Sequence, residues 1–166
     1  MNNILKAWSG SFTRRWHNQP QLCETNDPIS GHQQRCTMLL LLFWSDASRE
    51  SIIDTLIHDQ GETDSGDMPH QTKQKNPEIR SMLEIVESDS IIAQGFENIT
   101  LTPTELRRRK FVDLLDSYLW MLSHKPIMSK TEPWRIQLSQ LYHEAEALGI
   151  ENKYDSFIKE AHFLFI

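Results

Sequence analysis

Hydrophobic residues recur along this chain at helical spacing, and no stretch alternates apolar and polar residues in the manner of a half-buried strand. Asn2 to Ser9 places Ile4, Leu5 and Trp8 on one side of a short helix, with Gly10 as its stop. A loop containing Pro and Asn residues leads to Gly31. From Gly31 to Trp44 the chain is apolar nearly all round after the first turn, which predicts a buried central helix. A second helix is predicted from about Ser48, with Ile52, Ile53, Leu56 and Ile57 facing the core, and it runs straight into His58-Asp59. After a turn at Gly66 the chain is polar to Asn76. Pro77 then starts a helix carrying Ile79, Met82, Leu83, Ile85 and Val86 to about Phe96. Thr102, Pro103 and Glu105 predict a helix start with a threonine cap, proline at the first position and a reciprocal glutamate. That helix closes before Pro126. Glu132 to Leu148, stopped by Gly149, and Tyr154 to Phe165 are the last two. The expected fold is all-α, a compact helical bundle, and 166 residues fit one domain spanning 1–166.

Composition narrows the picture only slightly. Hydrophobic residues make up 39% and charged residues 24%, the proportions of an ordinary globular chain. A formal net charge of -6 argues against strong non-specific binding to nucleic acid, so no stable nucleic-acid partner is expected. The two cysteines, Cys23 and Cys36, build no disulfide framework and match no zinc-ribbon spacing, so they read as reduced thiols of a cytoplasmic protein. The apolar run Thr37 to Trp44 is too short to span a bilayer, and the N-terminus carries no signal-peptide pattern, so no membrane partner is expected. Trp134, Tyr142, Phe163 and Phe165 read as exposed aromatic residues that could form an interface, with packing within one chain an equal alternative.

The stretch from Ile57 to Lys73 concentrates the candidate chemistry. His58 and Asp59 stand side by side, Glu62 follows one helical turn on, a Gly66-Asp67-Met68-Pro69 turn brings a further carboxylate back, and Lys73 adds a cation. Imidazole nitrogen and carboxylate oxygen suit the same divalent cations, and one ion can use both neighbours. Antiparallel packing of the two helices that start at Gly31 and end at Ile57 would bring His32 beside His58. Taken alone, a histidine at a helix start is more often a cap than a ligand. Asp113 and Asp116 lie on an otherwise apolar helix and require a cation or a metal there. Arg15 offers a planar fork to phosphate and Trp16 a flat face to a base, although an anchored indole beside solvated arginines is the more economical reading of that segment.

The order His32, His58-Asp59, Asp113 resembles the HD-domain phosphohydrolases, in particular the HD-domain 5′-deoxynucleotidases and the small phage dATP triphosphohydrolases. The motifs that carry the resemblance are Arg15-Trp16 ahead of Gly31-His32, His58-Asp59 with Glu62, the Gly66-Asp67-Met68-Pro69 turn with Lys73, and Val112-Asp113 with Tyr118-Leu119. They run over most of the chain. The resemblance implies an HD-domain bundle in which His32, His58, Asp59 and Asp113 ligate one divalent transition metal: zinc, cobalt or manganese. Glu62 and Asp67 would orient or deprotonate water. Arg15 and Lys73 would hold phosphate, Trp16 would lie near sugar or base, and Met68 and Pro69 would shape the base pocket. Asp116 is left over, as a support to a ligand or a partner of Lys110. The chain is shorter than typical 5′-deoxynucleotidases, with a brief connection between Lys73 and the helix of Asp113, and His17 has no counterpart. These departures favour a dNTP (dATP) triphosphohydrolase that releases deoxynucleoside and triphosphate, with magnesium arriving on the substrate. The alternative is a 5′-deoxynucleotidase acting on dNMPs; a third reading is a non-catalytic helical interaction protein with a vestigial metal site. The resemblance also implies a homo-oligomer, a dimer or hexamer, in the cytoplasm, which is that of the host if the chain is phage-encoded.

Overall fold

Caps and glycines decide where the helices of this chain begin and end. The structure, a computed structural model, describes residues 2–68, 73 and 75–166. Helix α1 (Asn3–Gly10) starts at Asn2, whose Oδ1 accepts from the Ile4 backbone N–H at 2.8 Å. There follow α2 (Ile29–Phe43), α3 (Arg49–Ile57), the single turn α4 (Glu62–Ser65) and α5 (Pro77–Ala93). Helix α6 (Pro103–His124) opens with the expected capping box: Thr102 accepts from the Glu105 backbone, and Glu105 reaches back to Thr102. A 3₁₀ turn (Pro126–Lys130), α7 (Glu132–Ala147) and α8 (Glu151–Phe165) complete the order. The fold is all-helical: among the described residues an isolated antiparallel bridge between Arg14 and Pro28 is the sole β feature. No helix of the described residues is long and apolar enough to cross a membrane.

The chain forms two compact units, one of Met1–Gln34 with Ile53–Thr100 and one of Arg35–Ile52 with Leu101–Ile166. Helices α2 and α3 each begin in one unit and end in the other.

The first unit is held by close backbone approach and buried amides. A Cβ placed on Gly61 would lie 2.4 Å from the carbonyl oxygen of Glu87, so the turn before α4 rests directly on α5. Gly10 was expected to stop α1; it is instead the last helical residue, pressed on Thr63, whose Oγ1 would stand 2.2 Å from an added Cβ. Gln60 donates to the Ala7 carbonyl at 2.6 Å and to Gln94 at 3.0 Å, and Gln94 donates back to the Gln60 carbonyl and to Ser90, both at 3.1 Å. A buried network with its donors and acceptors matched fixes a unique arrangement of α1, the turn after α3, and α5.

The second unit is built on α6, where Phe111, Val112, Leu115, Tyr118, Met121 and Leu122 are buried. Phe43, Trp44 and Tyr154 meet Phe111 edge to face at 5.6–5.9 Å between ring centres. Lys153 donates to the carbonyls of Leu42 and Phe43, satisfying the open end of α2. Arg35 makes two bonds to Asp116, at 2.7 and 3.0 Å, and lies 4.4 Å over the Trp120 ring. Asp116 therefore pairs with Arg35, where Lys110 or a ligand was expected.

Two expectations about burial are corrected. Helix α2 is covered along Cys36, Leu40 and Phe43, one stripe at helical spacing, while Met38, Leu41 and Leu42 are 54%, 44% and 68% exposed. An apolar sequence run says what a helix can bury; its neighbours decide how much of it they cover. Trp134, read from the sequence as exposed, is buried and lies 6.4 Å from Tyr118, ring to ring. Tyr142, Phe163 and Phe165 are exposed.

Candidate functional site

Helix α2 enters the first unit with His32 fully buried, and α3 ends where His58 begins. The two rings lie 5.2 Å apart between centres, with ring nitrogens within 4.8 Å of each other, so the meeting of His32 with His58 expected from antiparallel packing is realised. Asp59 reaches both: its Oδ2 is 3.3 Å from His32 Nε2 and its Oδ1 is 3.4 Å from His58 Nε2. The Nδ1 of His58 is 2.7 Å from the Thr55 carbonyl. A carbonyl can only accept, so Nδ1 carries a proton, and in the neutral ring the lone pair lies on Nε2. That Nε2 is buried and makes no hydrogen bond. A bare imidazole lone pair in a protein interior is costly unless something electrophilic takes it, and a backbone carbonyl on the far nitrogen is the usual support of a metal-ligating histidine.

Gln33, beside His32, holds the turn that carries these groups. Its amide donates to the Leu56 carbonyl at 3.1 Å and accepts from the backbone N–H of Asp59 at 3.2 Å and of Gln60 at 3.1 Å. Gln33 is buried and was not singled out from the sequence, where a glutamine next to another glutamine in a helix carries no signal.

Glu62 opens α4, its N–H bonded to the Asp59 carbonyl at 2.9 Å. Its side chain is buried, with Oε1 3.7 Å from Lys73 Nζ and Oε2 without a hydrogen bond. Burial pushes the Glu62 carboxyl far above the usual carboxylate range; Asp59, Asp67 and Glu87 add to the shift and Lys73 opposes it. Lys73 sits 3.1 Å from Glu87. Burial works against its charge, but Glu87 and Glu62 together hold its pKa above the ordinary lysine value.

Arg15 and Trp16 are both buried, and their polar atoms converge on the buried Asp27. Asp27 Oδ2 accepts from Arg15 at 3.3 Å and from the Trp16 indole N–H at 3.0 Å. Asp67 accepts from the Trp16 backbone N–H at 2.9 Å, so this carboxylate anchors the Arg15-Trp16 loop as well as facing Glu62. Trp16 has φ 68°, a left-handed backbone that a bulky residue adopts only under constraint. Met68 is half-buried, and Pro69 lies outside the described residues. His17 is exposed and bonds locally to Asn18.

In the second unit Asp113 is half-buried on α6, with a carboxylate oxygen within 4.8 Å of Cys36 Sγ on α2. Cys36 is buried, and its thiol donates to the Val112 carbonyl over 3.7 Å.

The donor set suits a divalent transition ion: a bare imidazole nitrogen, a second buried imidazole and a carboxylate bridging the two. No protein-family model, no curated protein and no solved structure matches this chain.

Proposed function

We propose that this protein is a metal-dependent hydrolase of deoxynucleotides, an HD-domain phosphohydrolase that acts on a deoxynucleoside triphosphate, with dATP the first substrate to try. The observation that carries the reading is His58, whose Nε2 is buried and free of hydrogen bonds while its Nδ1 proton is committed to Thr55. His32, His58 and Asp59 would hold the ion. A bound divalent ion supplies electrophilic stabilisation of the phosphoryl oxygens and acidifies water.

The protein's own groups would do the rest. Glu62 would take a proton from the attacking water once positive charge beside Asp59 offsets the burial, and then the carboxylate repulsion, that raise its pKa. Asp67 holds the Arg15-Trp16 loop and so sets the distance between that loop and Glu62. Lys73 would receive phosphate oxygens. Attack of water at the α-phosphorus of a dNTP would break the bond from that phosphorus to the 5′-oxygen, so that the deoxynucleoside leaves with a proton on its 5′-oxygen and the triphosphate stays whole.

The test is direct. The protein is incubated with dATP, and separately with dAMP, in the presence of zinc, cobalt or manganese, and the phosphate product is identified. Inorganic triphosphate from dATP supports the triphosphohydrolase; orthophosphate from dAMP supports the monophosphate alternative; no product from any deoxynucleotide overturns both. One observation favours a second reading. Arg15 is paired with Asp27 and Lys73 with Glu87, so a phosphate has to displace a carboxylate from each cation. A non-catalytic helical protein stabilised by its metal would keep these pairs, and would show a melting temperature raised by the ion with no turnover.

A further inference from the structure

We infer that Lys73 is a tethered counter-ion standing where a second divalent ion would sit, so that the centre proposed above works with a single transition ion. The inference rests on the metal-site reading and deepens it, and every residue it uses lies in the first unit. Lys73 Nζ is bonded to Glu87 Oε1 at 3.1 Å and lies 3.7 Å from Glu62 Oε1. Less than a quarter of each of these side chains is exposed, so the charges meet largely out of water. Asp59 and Asp67 complete the cluster, both close enough to act on the charge of Glu62. The second oxygen of Glu62, Oε2, is buried and makes no hydrogen bond.

Carboxylates gathered beside a first ion are the means by which two-ion hydrolases hold their second. Asp59 belongs both to the His32 and His58 donor set and to this cluster. Here, however, the cation between Glu62 and Glu87 is supplied by the chain itself. Burial opposes the charge of Lys73, and Glu87 and then Glu62 restore it. An ammonium has three N–H donors, so one is left for a phosphate oxygen after two carboxylates are served. Lys73 thus carries toward the phosphate the positive charge that a partner ion would bring. Without it, Glu62, Asp67 and Glu87 become an all-oxygen donor set, which suits a divalent cation. Were Lys73 an ordinary ion pair, its loss would be met by proton uptake on Glu62, and the number of ions held would not change.

The experiment uses the whole chain, freed of metal by a chelator and dialysed to equilibrium against cobalt(II) alone, with bound cobalt counted per chain. Cobalt serves because it binds nitrogen and oxygen donors more tightly than manganese does. We expect one ion in the wild type and one in Lys73→Arg, which keeps the cation. We expect two in Lys73→Ala, and one again when Glu87→Gln is added to Lys73→Ala. Lys73→Gln, which keeps most of the side-chain bulk, takes the place of Lys73→Ala if that variant does not fold, with the same expected count. A count of one in the folded neutral variant overturns the counter-ion and leaves the metal centre standing. So does a count of two in the wild type, in Lys73→Arg or in the double variant. No cobalt in the wild type overturns the metal centre, and this inference with it.

Discussion

The carbonyl of Thr55 sets the state of His58, because an oxygen that can only accept forces the ring proton to Nδ1 and turns the Nε2 lone pair toward Asp59 and His32. From this, Asp59→Ala is expected to lose bound metal and deoxynucleotide hydrolysis together. Glu62→Ala is expected to retain the metal and lose ~10²-fold or more in rate, the usual contribution of a positioned general base. Metal analysis of the purified variants beside their turnover separates the two; normal turnover by Glu62→Ala would remove Glu62 from the mechanism. The meeting of His32 with His58 was legible in the sequence, since a helix start and a helix end of antiparallel neighbours must fall together. The geometry of Trp16 was not, because its left-handed backbone is imposed by distant acceptors, Asp27 and Asp67. That conformation reverses a familiar order: Trp16→Gly should be more stable than Trp16→Ala by ~1 kcal/mol, read by urea denaturation of the pair, although both lose the indole.

At the scale of elements, the strongest local signals held. The Thr102–Glu105 box starts α6 where the sequence put it, and Pro77 starts α5. The single turn α4 went unseen because four residues, Glu62 to Ser65, show no apolar period; it is held by Gly61 lying on α5. Gly61 has φ -63°, which any residue adopts, so its requirement is for space rather than for backbone freedom. Gly61→Ala is therefore expected to cost about 1–3 kcal/mol in chemical denaturation through overpacking against the Glu87 backbone. Glu105 carries a second duty: besides the cap, it accepts from Ser48 ahead of α3. Bonds from Ser48 and then Thr102 pull its pKa down to about 2 from 4.5. A carboxylate depressed in the folded state contributes stability above its unfolded pKa and loses it as the pH falls through the folded one. The stability gap between wild type and Glu105→Gln should thus be full above about pH 4.5 and close as the pH approaches about 2. A gap that stays constant across that window would show that the bonds of Glu105 do not depend on its charge.

For the whole molecule, helical spacing alone was enough to give the all-helical fold, while the coverage of each helix was not legible. Leu41 and Leu42 are as apolar as Leu40, yet only Leu40 is buried, because burial is decided by neighbours that come from elsewhere in the chain. The way the polypeptide is shared out has a practical side. The chain passes between its two compact units three times, and two of those passages fall inside helices α2 and α3 rather than in loops. Neither unit corresponds to one continuous stretch of coding sequence. A polypeptide ending at Thr100 would retain Phe43 and Trp44 without Phe111, the ring that both meet edge to face. It should accumulate in inclusion bodies on expression, and recovery of a soluble, cooperatively melting fragment would show that half the chain is self-sufficient. Dissection of this protein will have to proceed by point substitution, not by truncation.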